Sequence, residues 1–120
     1  MFLKNRIYLS LLCMVLLCGV QKAQAHALLV RSTPAANATV HGPNVQVALH
    51  YNSRIDAGRS SLTLTTATGK AVPLAMATPA GPAELDAHAQ ALKPDKYVLH
   101  WQALATDGHI TRGEIPFTVQ

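Results

Sequence analysis

The chain has 120 residues, with ten Lys and Arg against six Asp and Glu, six His, two Cys and a formal net charge of +4. That length supports one small domain. The charge excess is uneven: Lys4, Arg6 and Lys22 lie in the first 25 residues, leaving seven bases against six acids beyond them, a balance that gives no support to a nucleic-acid or membrane-surface partner.

Lys4 and Arg6 precede an apolar run from Ile7 to Val20, and Ala23-Gln24-Ala25 follows it. A positive start, an apolar stretch of about 14 residues and small residues at alternate positions are the three parts of a secretory signal peptide, whereas a membrane span needs roughly 20. Gln21-Lys22 closes the apolar run early, against an uncleaved anchor. Leu17 stands before Cys18 where a lipoprotein signal wants a small residue. The expected mature chain is a single domain over residues 26–120, beginning at His26. Cys13 and Cys18 leave with the signal, so that domain has no disulfide, thiolate ligand or cysteine nucleophile. All six histidines stay.

From His26 onward the apolar runs are short and turns are frequent. Ala27 to Val30 reads as a first strand, ended by Ser32-Thr33-Pro34 because proline cannot donate to a ladder. Ala35 to Thr39 is a polar connection and Gly42-Pro43-Asn44 a turn. Val45, Val47, Leu49 and Tyr51 alternate with more polar residues, the period of a half-buried strand. Leu62 and Leu64 alternate with threonines, and Thr68-Gly69-Lys70 reads as a hairpin turn. Val72 to Met76 is a weak strand broken by Pro73, followed by a loop over Thr78 to Pro82. Leu85 to Leu92 is ambiguous: its alanines fit a helical turn. Tyr97, Leu99, Trp101 and Ala103 form the strongest alternation. Ile115, Phe117 and Val119 close the chain, with Gly113 and Pro116 signalling an edge or a bulge. About seven short strands with turns every 8–12 residues describe an all-β sandwich or barrel, and a secreted chain of this size favours the sandwich. Trp101 is expected to anchor the core.

The chemistry gathers at two places. A histidine at an amino terminus offers its α-amine and its imidazole Nδ1 to one metal ion in a six-membered chelate ring, and signal cleavage makes His26 such a residue. Asp107-Gly108-His109 lies between the two best strands. Glycine allows a sharp turn there, so a carboxylate and an imidazole two positions apart can face one point. Taken alone the tripeptide is an ordinary Asp-Gly turn; taken with His26 it completes a set of three nitrogens and one oxygen. That set suits tetragonal Cu(II) better than Zn(II) or Mg(II), and copper heads the divalent affinity series. Met76 is the only methionine after residue 25, so nothing soft is present for Cu(I). His50 and His100 fall on the faces opposite the apolar rows, and His41 and His88 are expected to be exposed. Asp56, Glu84, Asp86, Asp95 and Glu114 are scattered among turns and read as solubility charges. No G-x-S-x-G, H-E-x-x-H or phosphate-binding glycine loop occurs, and a blue-copper centre would need a cysteine.

The opening His26-Ala-Leu-Leu-Val-Arg-Ser-Thr-Pro-Ala-Ala-Asn-Ala resembles the mature start of the CopC family of periplasmic copper-resistance proteins. So do Leu62-Thr-Leu with Gly69-Lys70, the Tyr97-x-x-x-Trp101 strand, Asp107-Gly-His109 and the closing Gly113-x-x-x-Phe117-x-Val119. The resemblance implies a seven-stranded Greek-key β-sandwich of cupredoxin-like or Ig-like form, binding one Cu(II) per chain through His26, Asp107 and His109. Some members add a glutamate after a His-Phe-Ser stretch; here His50-Tyr51-Asn52-Ser53 puts Ser53 at that place. A partnership with an inner-membrane copper transporter of the CopD type is implied by resemblance alone.

The expected function is a periplasmic Cu(II)-binding protein that sequesters or delivers copper and catalyses nothing, with its terminal histidine at a mobile chain end. Two readings compete. Polysaccharide monooxygenases also begin with a copper-binding histidine, but they are larger and display aromatics to sugar chains, whereas Tyr51, Tyr97, Trp101 and Phe117 all lie in strand patterns here. A plain interaction domain with an incidental terminal histidine predicts weak copper binding that ignores His109.

Overall fold

The computed structural model describes residues 26–120; the expected signal peptide and both cysteines lie outside the described residues. Nine strands follow in order: β1 Leu29–Thr33, β2 Thr39–Val40, β3 Val45–Tyr51, β4 Ser61–Thr66, β5 Ala71–Val72, β6 Ala75–Ala77, β7 Glu84–Ala89, β8 Asp95–Leu104 and β9 Ile110–Val119. They form a four-stranded sheet, β1-β3-β7-β6, and a five-stranded sheet, β2-β9-β8-β4-β5. One buried cluster draws on both. Val45, Val47, Leu49 and Tyr51 of β3 with Leu85, Ala87 and Ala89 of β7 come from the first sheet. Leu62, Leu64, Tyr97, Leu99, Ile115, Phe117 and Val119 come from the second. The expected sandwich is therefore present, with nine strands where about seven were counted.

The alternating rows of β3, β8 and β9 lie where the sequence period puts them, because one sheet face is buried and the other meets water. Three expectations change. Leu85 to Leu92 is no helical turn: Glu84–Ala89 is a strand paired on both sides, between β3 and β6. The weak strand over Val72 to Met76 is two strands in different sheets, and Pro73-Leu74 is the crossing between them. The polar connection after Pro34 contains β2, which pairs parallel with the end of β9 through Thr39↔Thr118 and Val40↔Val119.

Pro116 does lie toward an edge. Its carbonyl accepts from Asn37 N at 2.6 Å, and within a strand a residue's nitrogen points to the same side as its carbonyl. The missing N–H therefore faces away from β8, where no ladder bond is lost. Gly113 serves packing. A Cβ there would stand 2.5–2.7 Å from the Trp101 indole, so the glycine leaves room for the ring opposite it in the β8–β9 register. Trp101 is half-buried against the core, edge-to-face with buried Tyr51 at 5.5 Å.

The hairpin at Thr68-Gly69-Lys70 forms as expected, with Gly69 at φ +91°. The scattered acids have partners. Asp56 caps a single 3-10 turn over Ala57–Arg59, Asp86 accepts from Ala80 N, and Asp95 accepts from Lys96 N. On the outer sheet faces Glu84 meets His50 at 2.7 Å and Glu114 meets His100 at 3.3 Å. His41 is exposed as expected, whereas His88 is half-buried on the outer face of β7.

Candidate metal centre

One end of the sandwich gathers the His26 segment, the loop after β3 and the β8–β9 turn. The turn is built by its own backbone. Gly108 N donates to Ala105 O at 2.9 Å, Ala105 N donates to His109 O at 2.8 Å, and Gly108 sits at φ +92°, a conformation that favours glycine. Within it Asp107 Oδ1 accepts from the His109 backbone N–H at 3.0 Å, and Asp107 Oδ2 lies 3.0 Å from His109 Nδ1. In a neutral imidazole a ring nitrogen that close to a carboxylate is the one that carries the proton, and Nε2 is then the nitrogen with the lone pair. The His109 backbone N–H, then the His109 ring, hold the Asp107 carboxyl below the usual carboxylate range, with the His109 and His26 charges adding to the effect. Both side chains are accessible, at 48% for His109 and 33% for Asp107.

The His26 ring stands against His109 edge-to-face, with centroids 4.8 Å apart. Residues 26 and 109 are 83 positions apart in sequence, and the fold alone brings them together. The two residues that follow His26 are tied to the fold. Ala27 is fully buried, and its carbonyl accepts from Thr111 Oγ1 at 2.8 Å. Leu28 N donates to Asn52 Oδ1 at 2.8 Å, and Asn52 N returns a bond to Leu28 O at 3.0 Å. Sequence pattern singled out neither Asn52 nor Thr111. A polar residue next to an apolar row carries no signal of its partner until the sheets are assembled.

The residues fit a cation in donor chemistry. Two imidazoles at ring contact can share one ion, a carboxylate lies beside them, and the one sulfur among the described residues, Met76, belongs to β6, so the donors gathered here are nitrogen and oxygen, a set that suits copper. Among the described residues no three His, Cys, Asp or Glu side chains already converge on one metal position, since Asp107 is turned to the His109 ring. Ser53 Oγ, in the loop after β3, is buried with no hydrogen-bond partner among the described residues. His50 and His100 are engaged on outer faces: His50 with Glu84 and, at 3.4 Å, Arg31; His100 with Glu114 and, at 2.9 Å, Thr65.

Comparison with known proteins identifies the family and the fold. The CopC domain family profile matches residues 29–120. Copper resistance protein C of Xanthomonas campestris pv. juglandis is 33% identical over 107 residues, covering 82% of this chain and 83% of that protein. Among solved structures, CopC from Methylosinus trichosporium OB3b superposes with a TM-score of 0.73 at 32% identity, covering 79% of this chain and 94% of that one. PcoC from Escherichia coli, described as a methionine-rich copper resistance protein, gives 0.73 at 25% identity, covering 80% and 100%.

Proposed function

The chain belongs to the CopC family, and from that premise we propose that it is a periplasmic carrier of Cu(II), holding one ion per chain and catalysing nothing. Residues 1–25 act as the export signal. Their removal gives His26 an α-amine, which chelates copper together with the His26 imidazole. His109 adds a second imidazole and Asp107 a carboxylate. The amine, with a pKa of about 7.7–8.0, holds its proton loosely near neutral pH, so copper displaces it at little cost. The observation that carries this reading is the edge-to-face approach of His26 and His109 at an accessible end of the domain.

An exposed turn suits exchange with an acceptor, and an inner-membrane copper transporter of the CopD type is the proposed one. PcoC is described as methionine-rich; this chain has only Met76 after residue 25, so the reading includes no Cu(I) site. The monooxygenase alternative gains nothing from the aromatics. Tyr97 and Phe117 stack on each other in the core, and Tyr51 is buried.

The test is Cu(II) titration of mass-verified protein beginning at His26, beside a version carrying one extra residue before it. Tight one-to-one binding that collapses in the extended version, and in His109→Ala, supports the carrier. Equal binding by all three sinks it. Sustained product release from a polysaccharide with copper and a reductant would replace it with the oxidative reading.

A further inference from the structure

Strand β1 begins its ladder at Leu29, paired with Tyr51. Upstream of that point a chain would ordinarily fray. Here it is tied for two more residues, by one side chain from the loop after β3 and one from β9 of the other sheet. Asn52, just past β3, takes the Leu28 N–H on its Oδ1. Thr111, on β9, reaches across the sandwich to the carbonyl of Ala27, whose methyl is already fully buried. Thr111 is also two residues beyond His109 on the same strand-and-turn segment. Its hydroxyl therefore joins the residue next to His26 to the segment that carries His109.

We propose that Asn52 and Thr111 are positioning residues for the metal centre, fixing residues 27 and 28 so that His26 is held opposite His109 before copper arrives. This rests on the carrier reading above and deepens it. Between the held Ala27 carbonyl and the imidazole only the torsions of Ala27 and His26 remain. A terminus left loose would have to be ordered when copper binds, which costs roughly 5- to 30-fold in affinity per residue fixed. The two ties move that cost from the binding step to the folding of the domain.

The experiment uses protein beginning at His26 and carrying Thr111→Val, Thr111→Ser or Asn52→Ala. Valine keeps the shape of threonine and removes only the hydroxyl; Asn52 is exposed, so its truncation leaves the core alone. Three quantities are read: Cu(II) affinity by competition, the Cu(II) paramagnetic resonance spectrum, and copper-free thermal unfolding. Thr111→Val is expected to weaken binding roughly 5- to 10-fold, the loss of one hydrogen bond, and to broaden the spectrum into more than one species. Thr111→Ser is expected to stay within about twofold of the parent, because the hydroxyl is what counts. Asn52→Ala should weaken binding in the same direction. In the version with an extra residue before His26, Thr111→Val should add nothing, since the chelate it positions is already gone.

A parent that binds tightly while Thr111→Val and Asn52→Ala both match it overturns this proposal alone. A parent that binds weakly and ignores the extra residue overturns the carrier reading and this proposal together. Should Thr111→Val fail to fold, Asn52→Ala decides.

Discussion

Gly113→Ala tests the packing beside the centre with one methyl group. The backbone is no obstacle, since the glycines in the left-handed region are Gly69 and Gly108. The added Cβ would meet Trp101 Cζ2 at 2.5 Å, Cε2 at 2.6 Å and Nε1 at 2.7 Å, well inside contact distance, so the indole must move. Overpacking of this kind costs about 1–3 kcal/mol. Displacing the ring also weakens its edge-to-face contact with Tyr51, worth about 0.5–1.5 kcal/mol. Replacing a strand glycine returns about 0.5–1 kcal/mol of chain entropy. Trp101 is half-buried and can swing outward, which keeps the balance near the lower end, a net loss of about 1–2 kcal/mol. For a domain of this size each kcal/mol moves Tm by roughly 4–8 °C, so Tm should fall by about 5–15 °C. Trp101 is the only tryptophan, so its fluorescence reports unfolding and displacement at once, and native emission should shift to the red. An unchanged Tm with unchanged emission would refute the seating of the indole on Gly113.

Other expectations follow from the same structure. Tyr51 carries a buried hydroxyl with no partner among the described residues, and burial pushes its pKa upward. Tyr51→Phe should therefore be neutral or stabilising, by up to about 1 kcal/mol, in urea unfolding. Leu99 is fully buried, and Leu99→Ala should cost about 2–5 kcal/mol by the same measurement. Asp107 is held below its ordinary pKa by the His109 N–H. The stability it contributes to the turn is fully present above the usual carboxylate range, about pH 4. It is lost as pH falls through the lower folded value. The His109 amide proton followed by NMR should keep its hydrogen-bonded shift below pH 4 and lose it on further acidification; loss at the ordinary carboxylate pKa would contradict the tie. Cu(II) at 100 times its Kd should raise stability by about 2.7 kcal/mol in protein beginning at His26, and a thermal melt of His109→Ala should show no such rise.

The sequence was most readable where one sheet face is buried and the other wet. The rows of β3, β8 and β9 could be read from period two alone, and the outward placement of His50 and His100 followed from the same parity. Strand β7 was obscured because its inward row, Leu85, Ala87 and Ala89, is mostly alanine, a residue that favours helices when nothing else decides. Only pairing with neighbours on both sides makes it a strand. Strands β2 and β5, at two residues each, are too short to carry any period. The break at Pro73 was visible, but that the chain changes sheets there was not, since a proline marks an interruption without saying where the chain goes next. At the centre, His26 and the Asp-Gly-His turn stood out by residue type. The ties from Asn52 and Thr111 did not, because each joins groups more than 20 residues apart in sequence.

The pairing of β2 with the tail of β9 has a practical side. Gln120 N donates to Val40 O, and Gly42 N donates to Gln120 O, so residue 120 is stitched into the fold on both sides of its peptide. Strand β9 runs ten residues from Ile110, next to His109, to Val119, which sets Gln120 roughly 30 Å from the histidines. The domain in effect has one end for chemistry and the opposite end for attachment. A surface, dye or reporter joined at Gln120 would point the end that carries His26 and His109 outward, whereas the same label at residue 26 would sit against His109.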